Sequence, residues 1–356
     1  MRILYGIQGT GNGHITRSGA IVNELRKQAS VDVLVSGIHN EVQLPFDVDY
    51  RFTGLGFIFG KNGGVDYYQT FKQNKLRRLF TEIGSLPIKD YDLVISDFEP
   101  VSVWAANRHR IPTIGISNQA AILQGSISKP FTRLSLAPLF MESYASCRDN
   151  IALHFEQTDY HIETPVIRDS IRNAQVKNDG FGLVYLPFYS DEIIASVLQP
   201  IWETNWVVFS KHSTVAYRQG NINFEPVNGP RFNEKLKSCN MVITAAGFGT
   251  TSESLFLGKK MMVVPMKGQY EQQFNAYHLG KMGIGVLSDF KSEATISKIR
   301  TNLEKGEAVK ISYADNLSRI SSKVFDLFTK QIELSDYKGK SGYSDTLDSL
   351  FNPQLR

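Results

Sequence analysis

Short β-branched runs alternate with amphipathic stretches along the first half of the chain. Ile3–Ile7 predicts a strand, and His14–Gln28 carries Ile15, Ala20, Ile21 and Leu25 at near-helical spacing. Val31–Ser36 predicts a second strand and Val48–Thr53 a weaker third. Residues 54–64 are rich in Gly and Phe and read as a loop, with a helix expected from Tyr67 to Ile83. Leu93–Ser96 is a continuous apolar strand ending at Asp97, followed by a helix over Val101–His109 and a strand over Pro112–Ile116. Pro130–Cys147 predicts a helix kinked at Pro138, and Ile151–Phe155 the last strand of this half. Strand and helix in strict alternation imply a parallel sheet with helices on both faces.

Residues 157–180 are polar, contain Pro165, Asn178 and Gly180, and break the rhythm. The boundary falls there, giving an N-terminal domain of residues 1–165 and a C-terminal domain of 166–334. The alternation then restarts. Strands are expected at Phe181–Pro187, Trp206–Ser210, Ile222–Glu225, Met241–Thr244 and Met261–Pro265. Helices are expected at Asp191–Leu198, Arg231–Ser238, Thr250–Leu257 and Glu271–Lys281, with two or more across 292–330. Residues 335–356 are polar and tyrosine-dotted, either a disordered tail or a segment crossing back to the first domain. Two such α/β doubly wound domains leave a cleft facing the carboxyl ends of both sheets.

Composition changes this picture little. The 356 residues suit two domains, and 42% hydrophobic with 21% charged is an ordinary globular balance. A net charge of +4 fits an anionic small ligand or an anionic membrane surface, and specifies neither. No basic stripe with interleaved aromatics argues for nucleic acid. Cys147 and Cys239 lack metal or redox spacing and read as buried thiols of a reducing compartment. No run reaches the roughly 18 apolar residues of a membrane span, and the N-terminal run is too short for a signal peptide, so a cytoplasmic protein is expected.

Four motifs carry candidate chemistry. The first is Gly9-Thr10-Gly11-Asn12-Gly13-His14, between the first strand and first helix. Glycines let backbone N–H groups approach an anion, and a helix start adds positive potential. It is no dinucleotide fingerprint, because His14 stands where glycine is needed and Ser36 where an acid is needed; nor is it a Walker A loop. The plain alternative is a tight strand–helix turn. A neutral His14 at a helix start is a competent base for a hydroxyl, or else a polar cap. Asp97, on the strand beside the first, is placed to orient His14, or to cap the helix after it. The most specific motif is Ala246-Gly247-Phe248-Gly249-Thr250-Thr251-Ser252-Glu253, a strand-to-helix turn. Its free N–H groups suit a diphosphate, and Glu253 could accept both hydroxyls of a ribose; a merely capped helix is the alternative. Pro265 with Glu271-Gln272-Gln273-Phe274-Asn275-Ala276 sets a carboxylate and amides where a polyol could bind, or is a polar helix start.

The stretch from Ala246 to Ala276 resembles the donor-site signature of glycosyltransferase-B enzymes, especially the MurG-like and UDP-glycosyltransferase-like families. The matching positions are Gly247, Thr250, Glu253, Pro265, Gln272, Asn275 and Ala276. The loop ending at His14 is similar to the N-domain loop of the MurG-like family, with one residue more. The resemblance implies two Rossmann-like domains and sugar transfer from a nucleotide-diphosphate donor, most simply a UDP-sugar, to an unidentified acceptor hydroxyl. It implies that Glu253 grips the ribose, that Gly247, Gly249, Thr250 and Thr251 surround the diphosphate, and that Glu271 and Gln272 face the sugar. The loop Pro226–Phe232 would lie near the base, and His14 with Asp97 would activate the acceptor. No cofactor and no metal are implied, the nucleotide sugar being substrate. Asp47-Val48-Asp49 matches a metal-binding Asp-x-Asp, but its alternating surroundings read as an ordinary strand.

Three rivals remain on sequence grounds: a sugar-nucleotide 2-epimerase of the same fold, a non-catalytic sugar-nucleotide sensor, and a nicotinamide oxidoreductase, last because its fingerprint fails. The acceptor could be a glycan or lipid-linked. Phe131–Tyr144 is apolar enough either to touch the inner membrane face or to be core.

Overall fold

The computed structural model describes residues 1–9, 12–37, 46–55, 76–130 and 137–341. The first sheet comprises β1 (Arg2–Gln8), β2 (Ser30–Ser36), β3 (Tyr50–Phe52), β4 (Leu93–Asp97), β5 (Thr113–Ser117), β6 (Asp149–Leu153) and β7 (Ile162–Glu163). Its order is β3-β2-β1-β4-β5-β6-β7, parallel throughout. The second comprises β8 (Phe181–Tyr185), β9 (Asn205–Ser210), β10 (Tyr217–Gln219), β11 (Ile222–Pro226), β12 (Met241–Ala245), β13 (Lys260–Val264) and β14 (Gly285–Val286). Its order is β10-β11-β9-β8-β12-β13-β14, parallel except for the β10–β11 hairpin.

The helices around the first sheet are α1 (Asn12–Leu25), α2 (Leu76–Ser85), α3 (Pro100–Arg108), α4 (Asn118–Leu123) and α5 (Ala137–Tyr144). Then come α6 (Asp169–Arg172), α7 (Asp191–Leu198), α8 (Gly229–Ser238), α9 (Phe248–Leu257), α10 (Tyr270–Lys281), α11 (Glu293–Lys305) and α12 (Leu317–Ser341). Successive strand residues point to opposite faces. Ile3, Tyr5 and Ile7 of β1 therefore join one apolar cluster, while Leu4 joins a second with Leu79, Val94 and Val101. The first of these clusters does not stop at the domain edge. It runs through Phe155 and Phe248, whose rings lie 5.0 Å apart, into Leu255 and Val263.

Several expectations need correction. The last strand of the first sheet is β7, not β6: Ala152 pairs with Ile162 and Leu153 with Glu163 inside the segment read as a linker. The helix α4 went unpredicted; Ser117 starts it, its hydroxyl accepting from Ala120 N at 3.1 Å. The third strand is only Tyr50–Phe52, and the helix expected from Tyr67 is described only over Leu76–Ser85. Residues 131–136, the stretch leading into the expected kink, lie outside the described residues.

The largest correction concerns α12. Residues 317–334, read with the second domain, pack on the first. Gln331 Nε2 donates to Thr113 O at 3.0 Å and to Asp149 Oδ2 at 2.6 Å, bridging β5 and β6. Arg319 and Lys323 both grip the buried Glu163 carboxylate, at 2.5 and 2.6 Å, and hold its pKa down against the effect of burial. The chain thus crosses back near residues 313–316, where Asn316 Nδ2 donates to Thr164 O at 2.7 Å and Arg172 Nη1 to Tyr313 O at 2.8 Å. The outgoing and returning crossings are tied together.

Candidate active site

The first-domain half of the site grows from β1, α1 and β4. The pairing Ile7↔Asp97 brings the carboxyl ends of β1 and β4 side by side. In α1, His14, Arg17 and Ser18 stand at i, i+3 and i+4, so they share one helical face. All three meet Asp97. His14 Nδ1 lies 2.8 Å from Oδ1, Arg17 Nε donates to Oδ2 at 2.7 Å, and Ser18 Oγ donates to Oδ2 at 3.1 Å. Arg17 Nη2 donates to Oδ1 as well and stands 2.8 Å from His14 Nδ1.

Asp97 is fully buried, and burial opposes its charge; Arg17 and then His14 more than offset this, holding it below the usual carboxylate range. Asp97 does not cap α3. That cap is Glu99, whose carboxylate accepts from Val101 N at 2.7 Å and Ser102 N at 2.8 Å. Phe98 between them takes the left-handed backbone (φ 56°), costing about 1–3 kcal/mol. That turn sends Asp97 toward α1 and Glu99 toward α3.

The second-domain half grows from β12 and α9. Gly247 caps α9 in extended backbone, and Gly249 meets Gly13 of α1 so closely that a Cβ at Gly249 would lie 3.4 Å from Gly13 Cα. Two helix N-termini, one from each domain, therefore face one another. Beside them lies a cavity of ≈ 110 Å³ whose walls include Arg17, Arg168, Phe232, Gly249, Thr250 and Glu253. Val227 to Gly229, from the loop expected near a base, reach the same cavity, as does Tyr185, whose ring lies 5.6 Å from that of Phe232. Glu253 is gripped by Arg168 in a two-toothed pair, Nε–Oε1 at 2.6 Å and Nη2–Oε2 at 2.7 Å; Nη2 also donates to Asn233 Oδ1 at 2.9 Å.

The halves join through one amide. Gln119 Nε2, on α4, donates to Glu271 Oε2 on α10 at 2.8 Å and stands 3.3 Å from His14 Nε2. Arg17 Nη2 is committed to Asp97 Oδ1 and an amide nitrogen only donates, so we assign His14 Nε2 as the acceptor and the proton to Nδ1, toward Asp97. That tautomer points a lone pair into the cleft. Glu271 keeps a strip of surface, but removal from water raises its pKa despite opposing pulls from His14 and Arg17.

Other sequence-proposed residues take these places. Gly9 is spent in the sheet, its N–H donating to Ser36 O at 2.7 Å. Thr10 and Gly11 lie outside the described residues. Asn12 and Gly13 are already helical, so His14 sits inside the first turn of α1 rather than starting it. Thr251 is fully buried and donates its hydroxyl to Gly247 O at 2.7 Å, whereas Thr250 lines the cavity. Gln272 Oε1 accepts from Met266 N at 2.9 Å and braces the loop after β13. Asp49, of the Asp-x-Asp, accepts from Val33 N at 2.7 Å and pins β2. Arg17, Gln119, Arg168 and Asn233 were not singled out from sequence. Only Arg17 left a usable signal there, the i, i+3, i+4 spacing with His14 and Ser18.

A family model described as glycosyl transferase family 1 matches residues 1–303. An uncharacterized glycosyltransferase of Methanosarcina mazei is 23% identical over 384 residues, covering 92% of this chain and 95% of its own. Among solved structures, MurG of Acinetobacter baumannii aligns with a TM-score of 0.52 at 14% identity, over 92% of this chain and 99% of its own. A UDP-N-acetylglucosamine 2-epimerase also scores 0.52 at 14% identity, over 90% and 94%. The two structural likenesses show a common fold.

Proposed function

The chain belongs to glycosyl transferase family 1, and from that footing we propose that it moves a sugar from a UDP-sugar to an acceptor hydroxyl with His14 as base. That it is a glycosyltransferase of the GT-B fold follows from the family and from its structural relatives. The observation that carries the finer reading is the His14 imidazole, held with Nδ1 toward Asp97 and Nε2 met only by the long 3.3 Å contact from Gln119, near a cavity that Glu253 lines.

In the proposed step the acceptor oxygen attacks the anomeric carbon and its proton passes to His14 Nε2. The bond from that carbon to the diphosphate oxygen breaks, and its electron pair leaves with the diphosphate. Asp97 stabilises the resulting imidazolium without taking the proton. The facing N-termini of α1 and α9, with Arg17 and Arg168, place positive potential where the leaving charge develops, which supports a metal-independent step. Glu253 takes the ribose once Arg168 turns from it to the diphosphate, while Tyr185 and Phe232 offer flat apolar faces for a base. Uridine is favoured because a solved neighbour is named for a UDP-sugar. The ≈ 110 Å³ cavity is well below the roughly 300–1,000 Å³ of ligand pockets, so this reading requires the two domains to part when the donor enters.

A thermal-shift screen with UDP, GDP, dTDP, CMP and NAD, with and without chelator, tests the reading. UDP at a hundred times its dissociation constant should stabilise the fold by about 2.7 kcal/mol, indifferent to chelator, and Glu253→Ala should abolish the shift. A shift with NAD alone, or an undiminished UDP shift in Glu253→Ala, would overturn the donor-site assignment. Sugar altered without any acceptor would mark an epimerase instead.

A further inference from the structure

We propose that Gln119 receives the acceptor, and that the acceptor is a polyol presenting a second hydroxyl beside the one that reacts. The inference rests on the glycosyl-transfer reading and extends it to the acceptor. Gln119 is 2% exposed, and its Nε2 is committed to Glu271 and His14. Its Oε1 is equally buried and accepts from nothing. A buried carbonyl left without a donor costs about 1–3 kcal/mol, so it is a place where a donor from outside the chain is to be looked for.

The surroundings say what completes it. Gln119 lines a second hollow together with the polar Ser96, Ser117 and Asn150 and the apolar Phe98 and Met141. The hollow measures ≈ 10 Å³, near the lower limit for a single water-sized group and far too small for a ring. It fits one hydroxyl. Adjacent hydroxyls on a sugar lie roughly a hydrogen-bond length apart, about 2.8 Å, so one can meet His14 Nε2 while its neighbour donates to Gln119 Oε1. The reacting hydroxyl then replaces the long 3.3 Å Gln119 contact at His14 Nε2, while Gln119 Nε2 keeps its 2.8 Å bond to Glu271. A lone phenolic hydroxyl would satisfy the base and leave Oε1 unpaired.

The test compares two acceptors on the same enzyme preparation, methyl β-D-glucopyranoside and p-nitrophenol, with UDP-glucose, UDP-galactose and UDP-N-acetylglucosamine as donors and UDP release as the readout. Wild type should favour the glucoside. Gln119→Met, which keeps the volume and removes the amide, should lower the ratio of kcat/KM for glucoside over p-nitrophenol at least tenfold, mainly through KM for the glucoside. Gln119→Asn, which withdraws the amide by one methylene, should lower it too. A ratio is indifferent to how much of a variant folds. Wild type favouring p-nitrophenol, or a ratio unchanged in both variants, would overturn the proposal while leaving glycosyl transfer standing. No UDP release from wild type with any donor would instead overturn the underlying reading, and this proposal with it.

Discussion

Asp97 and Glu271 are carboxylates that feel the same imidazole from opposite domains, and their surroundings push them apart. Asp97 has an arginine, a histidine and a hydroxyl as direct partners, so it stays charged although no water reaches it. Glu271 has one neutral amide as its hydrogen-bond partner among the interactions described, and loss of water pulls it toward the neutral form. The lesson is that burial alone does not set a carboxylate's role. In the proposed mechanism, a fixed charge behind His14 orients it and stabilises its protonated form, and a carboxyl of raised pKa in front can meet a sugar hydroxyl either as acceptor or as donor.

The sharpest way to break this contrast is Asp97→Asn. It strands the Arg17 guanidinium in a buried site, and the cost at neutral pH should be about 3–5 kcal/mol, with at least a hundredfold loss of turnover. Because the folded pKa of Asp97 lies below the unfolded value of 3.8, its contribution is complete above that pH and fades as pH falls below it. Thermal melts of variant and wild type should therefore converge in acid; a constant gap would refute the charge argument. Arg17→Gln should cost less, about 1–3 kcal/mol, since Asp97 keeps Ser18 and His14 and can take a proton. The same change should move the wild-type acid transition to higher pH, making Asp97 behave like Glu271. Glu271→Gln has the smallest expected effect and the opposite sign. Its folded pKa is raised above 4.5, so wild type loses stability as pH rises through that folded value. The variant should be more stable than wild type at neutral pH and equal to it below pH 4.5. A loss at neutral pH would mean that Glu271 is charged and well partnered.

The fold was legible where hydrophobic runs were long. β1, β4, β9 and β12 carry largely apolar runs buried in mid-sheet, and β2 is broken only by Asp32; shortness, β-branched residues and flanking turns mark such runs as strands. The short β7, β10 and β14 were missed because two or three residues at or near a sheet edge carry no period to read. In the site, the turn from β12 into α9 was visible as glycines and hydroxyls at a strand end. Arg168 was not, because its partner Glu253 is 85 residues away and an arginine after a proline-containing linker looks like any solvated side chain. Gln119 was hidden for a further reason. It belongs to a six-residue helix too short for a periodic signal, and its significance arises only when α10 of the other domain closes over it.

The return of α12 to the first sheet makes the second domain an insertion in the topology of the first. During synthesis the first sheet therefore lacks the cations that neutralise Glu163 and the amide that bridges Thr113 and Asp149 until α12 leaves the ribosome. The second domain, whose strands and α7–α11 are complete by Lys305, can close earlier. Domains made in order usually mature in order. Here the first domain is finished after the second, and an interrupted chain leaves a folded second domain waiting beside an uncovered first.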